Sequence, residues 1–333
     1  MRAVRLHAYG GVEHLRLEEV ERPEPGPGQV LIRVRASAIN PVDWKIREGN
    51  QRAVIPLKLP AILGMDVSGE VVEVGPEVGD FQPGDEVFGS PHHTRQGGYA
   101  EYVVMNASEV APKPPSLSHV QAASMPLAGL TAWESLVVKG ELEAGQRVFI
   151  QSGAGGVGSL AVQLARHLGA EVTTTCSAGN ADFVRALGAT TVVDYREQRF
   201  DEVVRDQDLV LDTMGGKILR RSVICLRRGG ILVTINTGLP RAARLFGPWL
   251  GVLAVGWQLF TCWVRARMSL GVRFRLAVRP ASGELLAKLG DLVEAGALTP
   301  VVGSVYPLSE LAAAHAESEA GHSRGKIVID LDA

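Results

Sequence analysis

Three glycines carry the first chemical signal in the chain. Gly153, Gly155 and Gly158 satisfy G-x-G-x-x-G directly after the apolar run Val148, Phe149, Ile150. The three glycines serve different ends, which are a tight turn, close backbone approach to a pyrophosphate, and close packing of the following helix on the strand. Leu160, Ala161, Leu164, Ala165 and Leu168 then recur at helical spacing, so free N–H groups at the helix start, from Gly155 through Gly156, Val157 and Gly158, would face phosphates. A second strand from Glu171 to Thr175 completes a βαβ unit, and the stretch reads as a dinucleotide site. A reader of an unphosphorylated ribose would place Asp or Glu about 20 residues after the turn. That place holds Thr175, Cys176, Ser177, Ala178, Gly179 and Asn180, with no acid. Ser177 and Asn180 can donate to a 2′-phosphate, while Ser177 alternatively caps a helix.

The elements that must position these residues fall in two groups. A chain of 333 residues exceeds what one core usually organises. Residues 1–122 read as β-rich: Val30 to Ala36, Asp66 to Val74 and Tyr99 to Val104 lie between Gly and Pro punctuation, which suggests a partly open β-barrel. Helical spacing starts after Ser118, a cap candidate. From Arg147 the pattern is βαβ throughout, with strands at Glu171 to Thr175, Thr191 to Val193, Leu209 to Leu211 and Gly230 to Ile235. Helices begin near Ala181 and Lys217. Such alternation gives an α/β fold with a doubly wound parallel sheet, whose ligand lies beyond the carboxyl ends of the strands. The turns after Ile150, Thr175, Val193, Leu211 and Ile235, the last holding Asn236, are the expected contacts. After Pro280 a helix, a strand at Val301 to Val305, a helix and a strand at Lys326 to Asp330 return to the first domain.

Composition excludes some partners. A net charge of −2 and Lys and Arg not gathered on one helix argue against nucleic acid. The N-terminus lacks the apolar core of a signal peptide, and three scattered cysteines, Cys176, Cys225 and Cys262, suit a reduced cytoplasm. One stretch breaks the pattern: Leu245 to Trp263 is nineteen residues without a charge, preceded by Arg241 and Arg244 and followed by Arg265, Arg267, Arg273 and Arg275. A membrane span would strand the last elements across the bilayer. The alternatives are a helical lid, a contact in a homodimer, or a peripheral contact with a membrane surface.

The segments ASAINPVDWKIREG, GMDVSGEVVEVG, PGDEVFG, PLAGLTAWESL, SGAGGVG and GHSRGKIVI occur in this order over nearly the whole chain. Together they resemble the medium-chain dehydrogenase/reductase superfamily, in its zinc-free quinone oxidoreductase and enone reductase branch. The apolar insert is similar to that of chloroplast-envelope quinone oxidoreductase homologues, which associate with membranes without spanning them. The resemblance implies a GroES-like β-barrel catalytic domain at 1–122, a Rossmann NADP-binding domain at 123–279 with the insert at 245–263, and a return to the catalytic domain at 280–333. It also implies hydride transfer from NADPH to a conjugated carbonyl, an α,β-unsaturated ketone or a quinone, and the insert, if it lies beside the cleft, would favour apolar ones. Zinc-dependent relatives carry Cys where this chain has Asn40 and Gly-His-Glu where it has Gly64, Met65 and Asp66, and Asn and Met are not usual zinc ligands. His92 and His93 read as solvated loop residues, so no metal is expected.

Without a metal, donors must stabilise the developing enolate. Asn40 and Lys45 in NPVDWK resemble the family's active-site loop. Lys45 would anchor the ribose, polarise the carbonyl, or stand as an exposed lysine. Asp43 would orient Lys45 or end a turn. Tyr195 and Arg196 resemble the family's second contact with the 2′-phosphate, Thr131 its nicotinamide-side threonine, and Arg324 and Lys326 its cofactor-binding C-terminal loop. The expected activity is an NADPH-dependent reductase. The rivals are a zinc-free carbonyl or alcohol dehydrogenase and a nucleotide-binding partner protein with little turnover.

Overall fold

The computed structural model describes residues 1–333, except for the side chains of Pro240, Arg241, Pro248, Gln258, Arg265, Ser269 and Leu270. The chain forms two units, Met1–Leu130 with Pro280–Ala333, and Thr131–Arg279.

The first unit is built on strands β1 (Arg2–Leu6), β2 (Leu15–Glu19), β3 (Gln29–Ile39), β4 (Ala61–Ile62), β5 (Val67–Val74), β6 (Glu86–Gly89), β7 (Tyr102–Asn106) and β8 (Val110–Pro112). Helix α1 (Pro41–Arg47) follows β3, and α2 (His119–Ala123) follows β8. The unit extends past residue 122, since α2 packs on β3 and β5, and it ends at Leu130 within α3 (Pro126–Trp133). Ser118 Oγ does accept from Gln121 N, at 3.2 Å.

Strand β3 is the hub. Val30, Ile32 and Val34 enter the main core with Val67, Val71 and Met105. A bulge between Val34 and Ala36 then reverses the alternation, so Ala36 and Ala38 join Ala123 and Val328 in a second cluster while Ile39 returns to the first.

The second unit reads β9 (Arg147–Ile150), α4 (Gly156–His167), β10 (Glu171–Cys176), α5 (Ala181–Leu187), β11 (Thr191–Asp194), α6 (Phe200–Val203), β12 (Gln207–Asp212), α7 (Gly216–Ser222) and β13 (Leu226–Thr234). Helices α8 (Leu239–Phe246) and α9 (Pro248–Leu270) and strand β14 (Arg273–Leu276) complete it. The order β11-β10-β9-β12-β13-β14 with every neighbouring pair parallel is the doubly wound arrangement, and its switch point lies between β9 and β12.

Two expectations change here. The uncharged run is two helices, because Gly247 at φ 80° ends α8 in a conformation a side chain resists. Arg273 and Arg275 do not flank the insert as open charges: they lie on the edge strand β14 and both bind Glu141, at 2.8 and 2.7 Å. The side chains of Arg241 and Arg265 lie outside the described residues. Among the described residues, no helix is long and apolar enough to cross a membrane.

The chain then returns to the first unit through α10 (Gly283–Glu294), β15 (Val302–Pro307), α11 (Leu311–Ala320) and β16 (Lys326–Asp330). β16 pairs antiparallel with β3, Ile327 opposite Ile39 and Val328 opposite Ala38.

Candidate active site and nucleotide-binding turns

Sheet register assembles the site of the first unit. Strands β5, β3 and β16 are neighbours, with Ser37 opposite Val67 and Ile39 opposite Ile327, so the next residues at that end, Asp66, Asn40 and Lys326, converge. The Lys326 ammonium donates to Asp66 Oδ2 at 2.9 Å and to Asn40 Oδ1. Asn40 Nδ2 donates to the same Asp66 oxygen at 2.8 Å, and Asp66 Oδ1 accepts from Leu127 N at 2.6 Å. All three are buried. Both Asp66 oxygens are hydrogen-bonded and one faces an ammonium, which offsets the cost of burying the group.

Asn40 therefore differs from the oxyanion donor anticipated for it. Its amide is committed, one N–H to Asp66 and the other, at 3.4 Å, to Ala38 O, and the side chain is 2% exposed. Lys326 differs too: its ammonium faces Asp66 and Asn40 inside the first unit, while Arg324 lies exposed in the turn before β16.

Asp43 does not hold Lys45. It sits on the first turn of α1 and its Oδ2 accepts from Tyr99 Oη at 2.7 Å and from the Asn40 N–H at 2.8 Å, while Oδ1 is buried without a partner. Burial pushes its carboxyl up from 3.8 to about 6, against the pull of Tyr99 and the Asn40 N–H. Lys45, half-buried on α1, has its ammonium pKa lowered by burial, with Glu48 acting the other way. Its Nζ lies 5.2 Å from the Trp44 ring centroid. Trp44 Nε1 is buried with no partner in the chain, a donor that the sequence pattern did not single out. Lys45 is thus the half-buried cation of this turn, and the Trp44 N–H beneath it is closed off from solvent.

In the second unit the glycines divide as the motif requires. A Cβ on Gly153 would lie 2.2 Å from Thr174 Oγ1, and one on Gly158 would lie 2.0 Å from Ser152 O. On Gly155 the nearest atom would be 3.4 Å away, so no protein atom demands glycine there and the open side is left for a ligand. Gly156 and Val157 form the open first turn of α4.

Cys176 and Asp194 are register partners at the ends of β10 and β11, which brings Ser177 and Asn180 beside Tyr195 and Arg196. Asn180 Nδ2 donates to Ser177 Oγ at 3.3 Å, and the Arg196 guanidinium lies 5.8 Å from the exposed Tyr195 ring. Asn236 is tied down: its amide donates to Met214 O at 3.0 Å and accepts from Gly238 N at 3.0 Å. Thr131 is buried in α3. Asp212, missed in the sequence, ends β12 and accepts from Gly215 N and from Thr234 Oγ1, at 2.7 Å for the latter; burial raises it to about 6. Its position after Leu211, at a strand's carboxyl end, was the available signal.

A barrel-like sheet joined in one chain to a six-stranded dinucleotide fold defines a two-part dehydrogenase. Residues 26–115 match the alcohol dehydrogenase GroES-like domain, and residues 187–329 match the zinc-binding dehydrogenase family. The chain is 36% identical to mouse NAD(P)H oxidoreductase RTN4IP1, over 92% of this chain and 82% of that protein. It is 35% identical to the chloroplastic NADPH-dependent alkenal/one oxidoreductase of Arabidopsis thaliana, over 96% and 77%. The quinone oxidoreductase of Coxiella burnetii superposes with a TM-score of 0.86 at 34% identity, covering 99% of each chain. The chain belongs to the medium-chain dehydrogenase/reductase superfamily, in its quinone oxidoreductase and enone reductase branch.

The zinc in the matched family's description does not fit this donor set. Asn40 and Met65 are poor ligands, and the Asp66 carboxylate already holds an ammonium. Among the described residues, no group of three or more His, Cys, Asp and Glu is placed to hold a metal ion.

Proposed function

We infer that the protein is an NADP-dependent oxidoreductase that reduces a conjugated carbonyl, an α,β-unsaturated ketone or a quinone, without a metal. The observation that carries the metal-free reading is the Lys326 ammonium in the Asn40, Asp66 pocket, which supplies there the positive charge a metal would bring. When bound, NADPH supplies the hydride to the electron-poor carbon. Ser177, Asn180 and Arg196 would hold its 2′-phosphate, and the first turn of α4 its pyrophosphate. Lys45 would face the oxyanion that forms on the substrate, with Asp43 and Asn40 fixing the turn that carries it. The carbon proton then comes from water.

The test is NADPH oxidation with short-chain enones, quinones and simple ketones, run with and without a strong chelator. Enones or quinones should turn over, ketones should not, and the chelator should change nothing. Lys45→Ala should lower kcat on an enone by about tenfold to a hundredfold with the NADPH Kd unchanged, less than a fully preorganised oxyanion donor because water can stand in. Ketone turnover that a chelator abolishes and zinc restores would overturn the reading.

A further inference from the structure

Helix α1 is seven residues long, too short to hold its shape or direction without tertiary contacts. Asp43 and Arg47 lie four apart on its inner face and are both buried, while Lys45, two positions from each, lies on the other side of the helix. What fixes the inner face therefore fixes the direction of Lys45. Arg47 has no part in the chemistry described above, yet its side chain is 1% exposed, a rare place for a guanidinium. Its Nε donates to Gly10 O at 3.0 Å, and Gly10 N donates in return to Arg47 O at 3.0 Å, which ties the end of α1 to the loop after β1. Its Nη1 pairs with Glu319 Oε1 at 2.7 Å and donates to His315 Nδ1 at 3.5 Å. His315 and Glu319 are themselves four apart on α11, so one face of that helix meets the inner face of α1. Burial, with the Arg47 cation adding to it, pushes His315 down to about 3, so the imidazole is neutral and Nδ1 can accept. The His315 ring lies 5.6 Å from the Tyr99 ring and nearly perpendicular to it, and Tyr99 Oη donates to Asp43. The contacts Asp43, Tyr99, His315, Arg47 thus run from one turn of α1 to the next by way of α11.

We propose that Arg47, His315 and Glu319 are positioning residues for the reduction: they set the rotation of α1 and so the placement of the Lys45 ammonium against the substrate oxyanion. This role depends on the part given to Lys45 in the reductase reading. A guanidinium buried against one carboxylate is held firmly by it, because loss of that carboxylate leaves a charge buried without a counter-ion. The carboxylate is the member of the pair near solvent, with the Glu319 side chain 33% exposed against 1% for Arg47. Removing it leaves the apolar core of the unit as it is. The guanidinium would then move toward water and turn α1, and Lys45 with it.

The experiment is a double-mutant cycle between Glu319→Ala and Lys45→Ala in the full chain, read as kcat and KM on a short enone, with the melting temperature and NADPH Kd of each protein as the control for folding. Glu319→Ala should lower kcat by about threefold to tenfold, a fraction of the roughly hundredfold that a misplacement of about 1 Å costs, with KM changed less than kcat. In the Lys45→Ala background the same substitution should lower kcat no further. Glu319→Gln, which keeps an acceptor for Arg47, should recover most of the loss. Independently of turnover, NMR after isotope-labelled reductive methylation should show the Lys45 ammonium, held below the usual lysine range by burial in the parent, returning toward that range in Glu319→Ala. Equal loss of kcat in both backgrounds with an unmoved Lys45 titration would make Glu319 a stabilising contact only and overturn the proposal. Unchanged kcat and titration in Glu319→Ala would overturn it as well. Lys45→Ala with the kcat of the parent would instead strike the part given to Lys45, and the titration alone would then decide whether α11 places it.

Discussion

Asp43 shows how a residue picked out by its neighbours acquires a different role in the fold. The loop NPVDWK is legible as an active-site turn, but the partners of its side chains are not, because they are set by sheet register: Lys326 meets Asn40 across 286 positions and Asp66 across 260. Asp43 accepts from Tyr99, 56 residues away, and from the Asn40 N–H, where Lys45 two positions on was the partner its neighbours suggested. Its burial has a measurable sign. The native carboxyl titrates at about 6 and an unfolded one at 3.8, so between about pH 4 and pH 6 the native state binds more protons than the unfolded state. Stability contributed by this group is highest at the acid end of that window and falls as pH rises through it, by up to ~1.4 kcal/mol per pH unit. Asp212, raised to about 6 by the same cause, adds a slope of the same sign. Asp43→Asn should remove the Asp43 share. Taken as the difference between the urea midpoints of the two proteins, which cancels the other carboxylates, the variant should gain on the parent from pH 4 to pH 6. A flat difference would place the titrating proton elsewhere.

At the scale of elements, the parallel sheet was readable because its strands are short apolar runs between glycines and helical spacing, and the glycine turn because its steric demands are local. The edge strand β14 was hidden: RFRL alternates arginine with apolar residues, and only pairing with β13 and the Glu141 ion pairs makes it a strand. The apolar run over α8 and α9 was visible as an anomaly, but its break at Gly247 and its inward side depend on what it packs against. The turn before α4 separates packing from binding. Gly158→Ala would drive a methyl into Ser152 O and Gly153→Ala one into Thr174 Oγ1, and overpacking of this kind costs about 1–3 kcal/mol. Gly155→Ala meets nothing closer than 3.4 Å, so thermal unfolding without ligand should be nearly that of the parent while the NADPH Kd rises. The two classes should separate in a melting curve and an NADPH titration; a Gly155→Ala protein that is destabilised yet binds NADPH normally would reverse the assignment.

For the whole molecule the order of segments matters more than their content. The second unit is continuous, Thr131–Arg279, and contains all six strands of the parallel sheet; the first is assembled from both ends of the chain. Its main core takes Leu308, Leu311, Ala314, Ile327, Ile329 and Leu331 from the returning segment, and β16 covers the side of β3 opposite β5. The same segment brings Lys326 to Asp66. Removing residues 280–333 would therefore open the core, expose the edge of β3 and leave Asp66 buried without its cation, a loss on the order of 3–5 kcal/mol from the ion pair alone. That approaches the whole stability of a typical domain. The truncated chain 1–279 should lose the first unit as a folded body while keeping the glycine turn, the ends of β10 and β11 and the parallel sheet. Limited proteolysis should cut it throughout residues 1–130 and spare a fragment near 131–279, and NADPH added beforehand should slow loss of that fragment by mass action. Protection of residues 1–130 in the truncated chain would mean that the returning segment is dispensable to the first core. It would also weaken the account of why Lys326 stands where it does.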